Sequence, residues 1–144
     1  MFKNLNWSVA VPRVLVGFLL FASGLAGLLH LTPTPAHPGL GDQYLGALSA
    51  TYLMTLVKAV EVAVGLSLLT NRFVPLALVV LAPVSVNILG FHTLIDFGQL
   101  PVPVLLVVGH LWLAWSHRAA YAPLFRARTE VEAAPSTSLR PASA

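Results

Sequence analysis

The stretch that decides the fold is residues 48–95, LSATYLMTLVKAVEVAVGLSLLTNRFVPLALVVLAPVSVNILGFHTLI. It holds two apolar runs of roughly 20 residues each, which is the length that an α-helix needs to cross a bilayer. Only Thr70, Asn71 and Arg72 separate the runs, so the second helix must return antiparallel to the first. The pattern predicts two membrane-spanning helices, at about residues 48–69 and 73–95.

Polar residues interrupt both of these apolar runs. Lys58 and Glu61 lie inside the first run, and Asn87 and His92 lie inside the second. A lysine at the centre of a span costs about 2.5–3.5 kcal/mol on insertion scales, so such residues are expected to pair, to face a cavity or to serve a function. Lys58 and Glu61 are three residues apart and share a helix face. The alternative is that this pair only neutralises itself and fixes the helix register.

Two further spans flank this centre. The first is predicted at about residues 10–31, and it is too long and lacks the cleavage site for a signal peptide, so we expect a retained helix. The fourth is predicted at about residues 101–116. Residues 32–46 are rich in proline and glycine and are predicted to be a loop. Residues 1–125 would form one domain, and residues 126–144 a disordered cytoplasmic tail.

The composition and the distribution of charge support a membrane bundle. Hydrophobic residues make up 57% of the 144 residues and charged residues 9%, against roughly a quarter charged in soluble domains. Apart from Lys58, the basic residues fall on one side of a four-span topology, which the positive-inside rule makes cytoplasmic. The sequence therefore predicts an all-α fold, an integral membrane four-helix antiparallel bundle with both termini cytoplasmic. The net charge of +3 follows from this topology, and nucleic acid is not an expected partner. The basic residues concerned are Lys3, Arg13, Arg72, Arg118, Arg126, Arg128 and Arg140.

The polar residues of the spans can be placed by depth. With a rise of about 1.5 Å per residue, Lys58, Asn87 and His110 lie roughly 12–15 Å below the outer ends of their helices, near one level. Arg13 lies close to the cytoplasm, where it can snorkel to the headgroups or reach toward Glu61. The candidates for ligand binding or proton relay are therefore Lys58, Glu61, Asn87, His92, His110 and Arg13.

Several chemistries have no support in the sequence. The chain has no cysteine, which removes disulfides and cysteine-ligated iron–sulfur clusters. It contains no glycine-rich phosphate loop, no HExxH motif and no nucleophile elbow. No catalytic residue and no metal site is predicted, and the sequence leaves open whether the protein is an enzyme. His30 and His92 are an alternative pair of axial haem ligands, although interfacial solvation is a sufficient explanation for both.

A set of short motifs runs through the predicted spans over about residues 10–125. In chain order the motifs are Arg13-x3-Gly17 with Gly24, Lys58-x2-Glu61-x3-Gly65, Leu68-Leu69-Thr70-Asn71-Arg72, Leu81-Ala82-Pro83-Val84, Asn87-Ile88-x2-Phe91-His92 and Arg118-x2-Tyr121-x-Pro123-Leu124-Phe125. Together they resemble the DoxX family of small four-span bacterial membrane proteins.

The resemblance implies a redox setting in the bacterial inner membrane, because the family takes its name from a subunit of a membrane thiosulfate:quinone oxidoreductase. It implies oxidoreductase subunits as partners beside the lipid bilayer, and a quinone as the ligand or cofactor. The first hypothesis is an accessory or quinone-facing subunit with a buried polar cavity. The alternatives are a small proton or solute transporter, acting as a homo-oligomer, and a membrane assembly scaffold.

Overall fold

The computed structural model describes residues 6–31, 37 and 39–127, and all regular elements within these ranges are helical. The all-α prediction is confirmed. The α-helices are α1 (Trp7–Leu28), α2 (Leu40–Ser49), α3 (Tyr52–Thr70), α4 (Val74–Leu94), α5 (Pro101–Ser116) and α6 (Arg118–Tyr121), and 3₁₀ turns cover Phe97–Gln99 and Ala122–Phe125. Helices α1, α3 and α4 are long and apolar enough to cross a membrane, whereas the apolar α5 has 16 residues.

Glycines bring α1 and α3 into close contact. A Cβ atom at Gly17 would lie 2.9 Å from Cβ of Leu68, and one at Gly24 would lie 2.9 Å from Cβ of Glu61. Gly17 lies against Leu68, near the end of α3, and Gly24, later in α1, lies against Glu61, earlier in α3. The two helices are therefore antiparallel. Small residues permit this approach, as at other helix interfaces in membranes. The approach places Glu61 directly against α1.

Helices α4 and α5 complete the bundle. Asn71 ends α3 in the left-handed conformation with φ of 56°, which lets the chain reverse into α4 within three residues. His110 on α5 contacts the Leu78 carbonyl on α4, and Nε1 of Trp112, near the end of α5, donates to the carbonyl of Ser8 at the start of α1. Helix α5 is thus antiparallel to α1. The side chains sealed between the helices are Leu20, Leu68, Leu78, Leu81 and Leu113.

The outer faces of the long helices carry large apolar side chains. Phe18 on α1 is 65% exposed, Val86 on α4 is 72% exposed and Leu111 on α5 is 63% exposed. Such surface is a liability in water and is normal in lipid. The bundle therefore has the surface of a membrane protein.

The structure differs from the sequence-based expectation in the first long connection. Residues 40–49 form α2, although residues 32–46 were predicted to be a loop. The prolines of this segment all precede Gly39, and an isolated glycine such as Gly46 does not end a helix. Helix α3 begins at Tyr52 rather than near Leu48, because the Thr51 hydroxyl caps it by accepting from the Leu53 N–H at 3.3 Å. Of the predicted tail, residues 128–144 lie outside the described residues.

Candidate functional site

A cavity of about 370 Å³ lies among the five principal helices, α1 to α5. Its volume is within the range of small-molecule sites, roughly 300–1,000 Å³. Apolar side chains such as Leu20, Met54, Ile88 and Leu106 form most of its wall. The polar side chains that line it are Ser23, His37, Tyr44, Lys58, Glu61, Asn87 and His92. The cavity therefore brings together four of the candidate residues that the sequence indicates, from α3 and α4.

Lys58 and Glu61 form an ion pair that Ser23 completes. Nζ of Lys58 donates to Oε1 of Glu61 at 3.0 Å, to Oε2 at 2.8 Å and to Oγ of Ser23 at 3.3 Å. The Ser23 hydroxyl in turn lies 3.1 Å from Oε2 of Glu61 and donates to it. Glu61 is only 3% exposed, so its charge depends on these partners. The pair faces the cavity and α1 rather than the lipid side of α3.

Space for the ion pair comes from α1. A Cβ atom at Gly27 would lie 2.7 Å from Cδ of Lys58, and one at Gly24 would lie 2.9 Å from Cβ of Glu61. Real Cβ atoms do not approach other atoms so closely, so larger residues at these positions would displace the pair. The two glycines and the ion pair are one packing unit.

Asn87 is held by a residue that the sequence does not single out. Its side-chain amide donates to the Tyr44 hydroxyl at 2.7 Å. The Tyr44 ring packs at 5.5 Å, centre to centre, on the ring of Phe91. Tyr44 belongs to α2, in the segment predicted to be a loop, and an isolated tyrosine there gives no signal of a pocket.

His37 and Asp96 close the end of the cavity at which α2 and the connection between α4 and α5 meet. Nδ1 of His37 bonds to Oδ2 of Asp96, and the His37 backbone N–H donates to Oδ1 of Asp42 at 3.0 Å. The Gly98 backbone N–H donates to Oδ1 of Asp96 at 2.9 Å. That hydrogen bond, and secondly the one from His37, hold the pKa of the Asp96 carboxyl below its ordinary value. Both side chains lie in connections 59 residues apart, so sequence reasoning missed the pair.

His92 is the one candidate with an unsatisfied buried atom. Its Nδ1 is shielded from solvent and has no hydrogen-bond partner among the residues that the structure describes. Its ring packs edge-on against Phe91 at 5.0 Å. Buried polar atoms are normally paired, so this nitrogen is an exception, and only the remainder of the His92 ring lines the cavity.

His110 and Arg13 lie away from the cavity. Nε2 of His110 is 3.0 Å from the Leu78 carbonyl, and its Nδ1 is 2.9 Å from Oγ of Ser85. A carbonyl only accepts, so Nε2 carries the hydrogen and Nδ1 accepts from the Ser85 hydroxyl when the ring is neutral. Arg13 donates to the Leu68 carbonyl at 2.5 Å rather than reaching toward Glu61. The depth estimate places His110 level with Lys58 and Asn87, but the structure engages His110 with Ser85 and Leu78 rather than with the cavity groups.

The alternative haem ligands do not share a site. His30 is exposed in a left-handed turn after α1, with φ of 52°, and only His92 lines the cavity. Within the described ranges, no group of three or more histidine, cysteine, aspartate or glutamate side chains is arranged to hold a metal ion.

Comparison of the chain with protein-family models, with curated proteins and with solved structures finds no match. The function of the cavity is therefore inferred from its geometry.

Proposed function

We propose that the chain is a DoxX-like multi-pass protein of the bacterial inner membrane whose cavity binds a quinone-like molecule, as an accessory or quinone-facing subunit of a membrane redox system. The observation that carries the proposal is the lining of the cavity. The Asn87 amide and the Tyr44 hydroxyl offer donors beside the ion pair of Lys58 and Glu61, the His92 ring lines the same wall, and apolar side chains surround them. A flat apolar ring with oxygen acceptors suits such a wall.

Within this proposal all four principal apolar helices, α1, α3, α4 and α5, cross the membrane. A 16-residue α5 is about 24 Å long, against about 30 Å for the hydrocarbon core, so local thinning of the bilayer must accommodate it. Trp112 and Trp115 lie near its end, where interfacial aromatic residues are common, and Arg118 follows. These residues support the assignment of this end of the bundle to the cytoplasmic side of the membrane. The same end also contains Arg72.

The residues of the cavity fit the parts of a quinone. The second Asn87 N–H and the Tyr44 hydroxyl would donate to the ring oxygens, and Met54, Ile88 and Leu106 would contact the ring and the start of an isoprenoid chain. The quinone, when bound, supplies the redox chemistry. Glu61 would act as the proton-relay group at Oε2, the atom that Ser23 and Lys58 contact.

The distribution of polar groups favours a pocket over a path for protons or solutes. The cavity residues lie in the half of the bundle that α2 covers. In the other half, His110 is engaged with Ser85 and Leu78, and Arg13 is engaged with Leu68. Buried leucines fill the interior around them. A scaffold role alone does not account for the cavity and its polar lining.

Binding of a short-chain ubiquinone to the purified protein in nanodiscs tests the proposal. We expect Asn87→Leu and Tyr44→Phe each to weaken binding by about two- to twelvefold, because a neutral hydrogen bond contributes about 0.5–1.5 kcal/mol. Thr55→Val is the matched control, since Thr55 is exposed on α3 and does not line the cavity. Wild-type protein that binds no quinone, or equal binding by all variants, would contradict the proposal.

A further inference from the structure

The pair formed by His37 and Asp96 connects the cavity with the surface of the bundle. His37 lines the cavity and its side chain is 7% exposed, whereas the side chain of Asp96 is 23% exposed. The edge of the His37 ring packs on Phe91 at 5.4 Å, and its backbone is bound to Asp42. The imidazole is therefore held between the cavity and a carboxylate that water can reach.

The contact with Asp96 determines the chemistry of the ring. An ionised carboxylate only accepts, so Nδ1 of His37 carries the hydrogen of this bond. In the neutral ring, Nε2 then has a free lone pair. No residue in the described part of the chain hydrogen-bonds to Nε2, so it is the nitrogen left for a molecule in the cavity. An acidic side chain that fixes the tautomer of a histidine in this way prepares it as a proton acceptor.

We propose that His37 and Asp96 form a proton-exchange dyad that serves the cavity. Nε2 of His37 accepts a proton from a hydroxyl group in the cavity, such as that of a hydroquinone, so that an O–H bond breaks and an N–H bond forms. The imidazolium then loses its Nδ1 proton to water beside Asp96, which completes the transfer of one proton from the hydroxyl to water. After the deprotonated molecule leaves the cavity, Nδ1 takes up a proton from water and Nε2 gives its proton to water, so the ring returns to its first tautomer. Only protons move. The identity of the hydroxyl donor rests on the proposed function, whereas the dyad itself does not.

Titratable and charged groups surround His37. Helices α1 and α5 contribute no titratable side chain to the cavity. The titratable and charged groups around His37 are Asp42 and Tyr44 on α2, Asp96 after α4, His92 on α4, and Lys58 and Glu61 on α3.

The tautomer of His37 is measured without any ligand, by ¹⁵N NMR of histidine-labelled full-length protein in nanodiscs. His37→Gln identifies the signal. We expect the Nδ1–H tautomer in the wild type, a shift toward the Nε2–H tautomer in Asp96→Asn, and recovery of the Nδ1–H form in Asp96→Glu. An Nε2–H tautomer in the wild type, or no response to Asp96→Asn in a variant with wild-type helicity, would overturn the dyad.

Proton transfer is measured with a short-chain ubiquinol, a pH-indicator dye and an added one-electron oxidant such as ferricyanide, because ubiquinol releases its protons to water as it is oxidised. Loss of a positioned proton acceptor slows proton transfer by about 100-fold or more, and we expect this fall in His37→Gln while ubiquinol still binds. His117→Gln is the matched control, because His117 lies at the opposite end of α5. If His37→Gln binds ubiquinol and releases protons at the wild-type rate, the proposed dyad is contradicted and the proposed function is not. Wild-type protein that binds no ubiquinol removes the proposed function, and the NMR result alone then supports or overturns the dyad.

Discussion

The ammonium nitrogen of Lys58 lies 2.8 Å from Oε2 of Glu61, one helical turn away, and the pair is turned against α1. Removal of one charge leaves the other buried without compensation, which typically costs about 3–5 kcal/mol. We therefore expect Lys58→Met and Glu61→Leu each to destabilise the protein strongly, and the double variant to lose much less than the sum. Unfolding in a series of detergent mixtures measures this, and additive losses would show that the two side chains act independently.

Gly65 is where α3 most closely approaches α1. A Cβ atom there would lie 2.5 Å from the Phe21 backbone nitrogen and 2.8 Å from the Gly17 carbonyl oxygen, neither of which can rotate away. Gly65→Ala should therefore destabilise the bundle by about 1–3 kcal/mol, as overpacking generally does. Gly90→Ala is the control in another helix. No atom lies within 4 Å of a Cβ at that position among the described residues, so its unfolding free energy should rise by about 0.4–1 kcal/mol.

The network around His110 is predicted to matter for stability and not for ligand binding. Ser85→Ala removes the donor to Nδ1 and leaves a buried ring nitrogen unsatisfied, at a cost of about 1–3 kcal/mol. Ser116→Ala is a suitable control because its hydroxyl bonds only to the Trp112 carbonyl at the end of α5. The measurements are thermal unfolding and quinone affinity. A weaker affinity in Ser85→Ala would place this network in the site.

The lowered pKa of Asp96 predicts a loss of stability in acid. The folded protein holds this carboxyl ionised below its ordinary pKa of 3.8, so the stabilisation is fully present above that pH. This stabilisation is lost as the pH falls through the lower pKa that Asp96 has in the folded protein. Asp96→Asn should therefore flatten the acid limb of a plot of unfolding temperature against pH. An unchanged acid limb would mean that other carboxyls determine it.

The four-span topology is tested with single cysteines, since the chain has none of its own. A membrane-impermeant maleimide should label Ser49→Cys from outside intact spheroplasts. It should label Arg72→Cys and Ala120→Cys only after the membrane is permeabilised. All three positions are exposed in the structure. Labelling of Ala120→Cys from outside would show that α5 does not cross the bilayer.

Sequence reasoning located the part of the site that lies on apolar helices. Lys58, Glu61, Asn87 and His92 stand out because each interrupts a run of residues that would otherwise be uniformly apolar. The depth estimate could not give their rotation about the helix axes, and it therefore grouped His110 with residues that it does not contact. Rotation is set by packing, which a rise per residue does not describe.

The remainder of the site lies in connections, where sequence patterns are weak. Leu40, Tyr44 and Leu48 recur at helical spacing in α2, but the prolines before Gly39 and the glycines of this segment favour a loop and obscure that pattern. The contact between His37 and Asp96 joins two loops whose approach depends on how the long helices pack. Titratable residues in loops are common at surfaces, so neither one attracts notice in a linear chain.

The glycines opposite Lys58 and Glu61 have a consequence for divergence among relatives of this protein. Positions 24, 27, 58 and 61 should change together, because a methyl group on α1 and a long ionised side chain on α3 would compete for the same volume. A lineage that lost the two charges would be free to acquire alanine or larger residues on α1, and could then return to the ionised form only by reversing those replacements first.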